Sequence, residues 1–210
     1  MPGASRIKLI DGIPGDSLGL RWRAAFFQIV ESAEIADPLR ESGVPGRLRD
    51  WTSNLTTAVV ASCESLGLAA AGKGHGLDLL AESRQEYLGL DVTAFLPSAA
   101  DMASWPYPLM AFELENSMRD DRIAYSIWKV ASVRAKLGVV FAYRKTWDEA
   151  NRLVGTLAKA VPGGFGPDWN EDSDSEIVLA AGSRSDNEQF PWGYFKFWAF
   201  NRNTRRFEKL

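Results

Sequence analysis

The chain has 210 residues, 46% of them hydrophobic and 24% charged, with a net charge of -3; this is core enough for one compact domain and excludes a disordered chain. No run of about 18 apolar residues is available to span a bilayer, and the opening MPGASRIKLIDG lacks the apolar centre of a signal peptide, so a cytoplasmic protein is expected. Cys63 is the only cysteine, which rules out an internal disulfide and a cysteine-cluster zinc site, and the acidic balance requires any nucleic-acid contact to come from a local basic stripe.

In chain order, Leu18 to Ile35 carries apolar residues at helical spacing (Leu20, Ala24, Phe27, Val30), and Pro38 with ESGVPGR reads as a stop and a linker. Residues 1–50 are thus an amino-terminal helix and linker packed on a main domain of residues 51–210. Trp51, Leu55, Val59 and Leu66 predict a second helix ending at Gly67, followed by a flexible AAAGKGHG loop. DLLAES and EYLGLDVTAFL predict a pair of strands, the second alternating Leu88, Leu90, Val92 and Ala94 on one face with Asp91 on the other. Pro97 to Pro108 is a turn-rich connection.

PLMAFELEN is a third strand, with Met110, Phe112 and Leu114 on one face and Ala111, Glu113 and Glu115 on the other. The period then becomes helical from Asp120 to Leu137, through Ile123, Ile127 and Val130. VVFAY is a buried strand. Thr146 and Glu149 have capping-box spacing at the head of a further helix. After the acidic excursion of residues 162–176, EIVLAAG, GYFKFWAF and RRFEKL supply late strands, and Asn201 to Thr204 turns the last hairpin.

The order is α-β-β-β-α-β-α-β plus a terminal hairpin, an α/β (mixed α+β) arrangement in which a central mixed sheet is flanked by helices. With GLD, FELEN, the helix ending AKLG and the strand VVFAY, residues near 51 to 145 resemble the core of the restriction-endonuclease-like, PD-(D/E)XK superfamily. The resemblance implies a nuclease that hydrolyses DNA phosphodiester bonds with Mg2+ or Mn2+, in which Asp91 and Glu113 are the primary metal ligands and Glu115 is a third ligand or an acid/base group. The chemistry is consistent: a divalent ion activates water and stabilises charge on the phosphate, and magnesium prefers oxygen ligands. Strands about 4.8 Å apart bring such carboxylates together if the register permits.

The family pattern has a lysine where this chain has Glu115. Some relatives carry that lysine on the following helix, where Lys129 stands. Arg122, Lys129 and Lys136, seven residues apart, form one basic line. The alternative reading is a catalytically inactive nuclease-fold protein serving as a nucleic-acid-binding or protein-interaction subunit; a homodimer is compatible with cutting two strands. Glu64 is an auxiliary ligand or, more simply, a solvated carboxylate. Three near-motifs fail. Gly67 to Gly74 nearly forms a phosphate loop, but Gly74 replaces the Ser or Thr that binds magnesium. Asp168, Asn170 and Asp172 mimic a calcium loop without its glycine. His75, the sole histidine, lies between glycines and carries no catalytic triad.

Overall fold

The computed structural model describes residues 17–43, 46–78, 85–97, 106–164 and 175–210. Its elements are α1 (Leu18–Val30), α2 (Ala33–Ser42), α3 (Leu48–Ser65), β1 (Ala69–Gly72), β2 (Val92–Phe95), β3 (Met110–Leu114), α4 (Asp120–Ala131), β4 (Leu137–Arg144), α5 (Trp147–Gly164), β5 (Glu176–Ser183), β6 (Phe195–Asn201) and β7 (Arg206–Lys209). All seven strands join one mixed sheet in sequence order. β3, β4 and β5 are parallel to one another, and the other neighbouring pairs are antiparallel. The two parallel pairs are the ones linked by long helices, α4 and α5, because a parallel connection must cross back over the sheet.

Strand alternation sends alternate residues to two cores. On one face, Phe112, Phe141 and Phe197 pack with Trp22 and Phe26 of α1 and with Leu55 and Val59 of α3. On the other, Val140, Leu179 and Trp198 pack with Ile123 and Ile127 of α4 and Leu153 and Leu157 of α5. Trp22 is the hub of the first core: its ring lies 5.2 Å from Phe112 and 5.4 Å from Phe26, and its indole Nε1 donates to Ser62 Oγ at 3.0 Å. The polar end of the buried ring is thereby satisfied. α1 is fixed at its head as well, since the Glu176 carboxylate accepts from the backbone N–H groups of Leu18 (2.7 Å) and Gly19 (2.9 Å), an anion at a helix amino terminus. Cys63 is fully buried, as its apolar neighbours predict.

Several elements differ from expectation. The amino-terminal helix is two helices, broken where Ser32 adopts extended backbone. Pro38 lies inside α2 and does not end it; its carbonyl is taken by Ser42 Oγ and Asn54 Nδ2, while Leu39 beside it is fully buried. The first strand of the sheet is Ala69–Gly72, the segment expected to be a flexible loop. It pairs antiparallel with β2. Of the strand expected over DLLAES, residues 78–83, all but Asp78 lie outside the described residues, as do residues 98–105 of the turn-rich connection and residues 165–174 of the acidic excursion with Asp168, Asn170 and Asp172. Leu88 does not continue β2: it sits at φ 57° in a short 3-10 turn, Tyr87–Gly89, and is exposed.

The last helix and hairpin follow the reading closely. Thr146 Oγ1 accepts from Glu149 N–H, and the Glu149 carboxylate reaches back to the N–H of Lys145. Thr146→Ala is therefore expected to lower stability by about 1 kcal/mol, seen as a lower urea midpoint with an unchanged slope. Asn201 Oδ1 accepts from the N–H groups of Asn203 and Thr204 and closes the β6–β7 turn.

Candidate functional site

β2 and β3 run antiparallel with Val92 opposite Phe112. One step further along this register, Asp91 stands opposite Glu113, and directly opposed residues bring their side chains within about 4.5–5.5 Å at Cβ. Asp91 Oδ2 accepts from Leu114 N–H at 2.7 Å, which ties the start of β2 to the end of β3. Glu113 alternates with Phe112 and Leu114 and so points to the α4 side of the sheet, where only 11% of its side chain is exposed. Its Oε1 accepts from Lys129 Nζ of α4 at 2.8 Å, and the same ammonium donates to the carbonyl of Gly89. Lys129 thus bridges the turn before Asp91 and the carboxylate opposite it.

Burial pushes the Glu113 carboxyl up to about 7; the Lys129 bond opposes this, and the nearby charge of Asp91 reinforces it. Asp91 is raised for the same first reason, burial, against the Leu114 N–H bond and the Lys129 charge, with Glu86 and Glu115 adding repulsion. The cluster is short of positive charge. One lysine faces Asp91, Glu113 and Glu115, and the first two hold their protons more tightly than solvated carboxylates do.

Glu115 lies one residue beyond β3. Its backbone N–H donates to Phe141 O, and its carboxylate accepts from Ser117 N–H (2.7 Å) and Ser126 Oγ (3.4 Å). It begins the turn into α4. Among the described residues no three acidic, histidine or cysteine side chains form a ready-made metal cage. Asp91 and Glu113 are each engaged through one carboxylate oxygen by the bonds above. They remain a suitable donor pair for magnesium, which is commonly held by one or two carboxylates with the rest supplied by water and phosphate. The basic line predicted along α4 is shorter than expected, because the helix ends at Ala131 and Lys136 falls beyond it. Glu64 is exposed in the last turn of α3 and takes no part.

A groove of about 490 Å3 opens beside Asp91, walled by Arg49, Thr52, Ser53 and Thr56 from α3, by Lys73 and Gly74 from the turn after β1, and by Glu86. Asn116, next to Glu115, donates to Thr52 Oγ1 at 2.9 Å and ties this wall to the end of β3. No family model, curated protein or solved structure matches the chain. Asp91, Glu113 and Lys129 are brought together, and Glu115 stands at their edge.

Arg49 and Lys73 escaped the sequence reading. The expected helix began at Trp51, which left Arg49 in the linker, and Lys73 lay in a segment read as a loop and dismissed as an imperfect phosphate motif. The available signal was the GKG triplet: Gly74 sits at φ 85°, a conformation that favours glycine, so the triplet marks a tight turn. His75 closes that turn through paired backbone bonds with Gly72, and its Nε2 lies 3.1 Å from Thr57 Oγ1.

Proposed function

We propose that the chain is a metal-dependent nuclease of the restriction-endonuclease-like type, hydrolysing DNA phosphodiester bonds in the cytoplasm. The observation that carries the reading is the Glu113–Lys129 pair set opposite Asp91 at the carboxyl end of β3. A buried and a half-buried carboxylate, both with elevated proton affinity, and a single lysine make a site that gains from a divalent cation. The α-β-β-β-α-β-α-β order with its terminal hairpin and the seven-stranded mixed sheet support the same reading.

In this reading Asp91 and Glu113 hold Mg2+ or Mn2+, and the bound ion supplies Lewis-acid stabilisation and an activated water. Glu113 binds through the oxygen that Lys129 leaves open. Lys129 Nζ, held between Gly89 O and Glu113 Oε1, carries the positive charge that the superfamily pattern puts at position 115 and would face a phosphate oxygen. Glu115 orients the β3–α4 turn through Ser117 and Ser126, a positioning role in place of the acid/base role first expected of it.

Glu115 at the lysine position favours a second reading, a nucleic-acid-binding protein of the same fold without cleavage. Incubation of the purified protein with plasmid and with single-stranded DNA, plus Mg2+ or Mn2+, separates the two. Metal-dependent cleavage that disappears in Asp91→Asn and Glu113→Gln supports the nuclease. No cleavage by the wild type, or cleavage unchanged in both variants, overturns it.

A further inference from the structure

We infer that the groove between the head of α3 and the β1 turn grips the phosphate backbone of the DNA strand where it adjoins the bond to be cut, with Arg49 and Lys73 as its two cationic contacts. The inference rests on the nuclease reading for the identity of the strand, and on the groove's own chemistry for the class of ligand.

The hydroxyls of Thr52 and Thr56 are committed, donating to the carbonyls of Leu48 and Thr52 within α3. Gly74 N–H is committed to Gln85 Oε1. Arg49 and Lys73 form no ion pair among the described residues, although both are exposed. The neighbouring arginines behave differently: Arg40 pairs with Asp37 at 3.0 Å and Arg47 with Asp50 at 3.1 Å, each three residues away. Arg49 and Lys73 come from segments far apart in sequence and meet at one groove, where the other charged lining residues are Glu86 and Asp91.

Both are also held in place. Lys73 stands on a two-residue turn whose flanks, Gly72 and His75, exchange backbone hydrogen bonds at 3.0 and 2.8 Å. Arg49 is in the first turn of an 18-residue helix. The groove volume of about 490 Å3 falls in the range of sites that enclose a small ligand. Asp91 forms part of its wall, so a backbone phosphate held by the two cations leads the strand directly to the carboxylates. An oligoanion gains from both cations at once, and each contact releases a condensed counterion.

The test uses fluorescence anisotropy of a labelled DNA oligonucleotide in the full chain carrying Glu113→Gln, which keeps the strand uncut. Arg49→Glu and Lys73→Glu are each expected to weaken binding by about tenfold and to reduce the slope of log affinity against log salt by about 1. Lys209→Glu, an equal charge change on β7 at the far edge of the sheet, is expected to leave both unchanged. Affinity in the Arg49→Glu/Lys73→Glu double variant equal to that of the parent overturns the inference, and so does equal weakening by Lys209→Glu. Plasmid cleavage in the wild-type background keeps the two readings apart. Groove-dependent binding without any cleavage removes the nuclease and leaves the groove; cleavage and binding that survive the double substitution remove the groove and leave the nuclease.

Discussion

Replacing Lys129 with methionine is expected to lower metal-dependent DNA cleavage by about 10²–10³-fold, the usual cost of removing one preorganised group that stabilises transition-state charge. Lys129 is the one cation hydrogen-bonded to the carboxylate cluster among the described residues, and its two acceptors, Glu113 Oε1 and Gly89 O, fix its position from opposite sides. Methionine keeps the length and apolar stem of the side chain, so packing along α4 is preserved. The rate is read in single turnover with saturating metal. Metal affinity is a separate measurement, and it should be retained or increased, because the ammonium competes for Glu113 Oε1. A variant that cleaves like the wild type assigns Lys129 a structural role only. One that loses metal binding along with cleavage shows that the lysine organises the carboxylates and does not act on phosphate.

The parts of this site legible in the sequence are those carried by strong periodicity. FELEN alternates cleanly, so Glu113 could be put on the face opposite Phe112 and Leu114, and SIWKVA has a helical period that brings Lys129 to the same side of the sheet. The same alternation puts Glu115 on that side too, and although the strand stops at Leu114 its carboxylate accepts from Ser126 of α4. β1 was invisible. AAAG lacks the branched and aromatic residues that mark strands, yet here small residues are what the packing demands. A Cβ added at Gly72 would come within 3.0 Å of Thr56 Cγ2, Val92 Cγ2 and Asp91 O. α3 and β2 crowd this strand from two sides, and that crowding brings Arg49 and Lys73 to one groove. Such a juxtaposition of distant segments is set by tertiary packing and leaves no local trace in the chain.

The elevated proton affinity of Glu113 makes a second large effect measurable without metal or substrate. Its carboxyl titrates near 4.5 when solvated and about 7 in the fold. The folded state therefore holds more protons than the unfolded state between these values, and stability must fall as pH rises through this window. The favourable contribution is fully present below about pH 4.5 and is lost as pH passes through about 7, with a ceiling of roughly 3 kcal/mol for a shift of this size. Asp91 shifts in the same direction and adds to the trend. Glu113→Gln keeps the shape and an acceptor for Lys129 but cannot ionise. In urea unfolding under metal-free conditions, its stability relative to wild type is expected to improve from about pH 4.5 upward, most steeply near about pH 5.7, midway between the two values, and to level off above about pH 7. A difference between the two proteins that stays flat across this range means that Glu113 ionises as freely in the fold as in solvent. Lys129→Met removes the charge that holds the Glu113 carboxyl down, so the loss of stability in that variant should extend to higher pH. That displacement of the titration, seen in the absence of DNA, tests the Glu113–Lys129 pair independently of any catalytic reading.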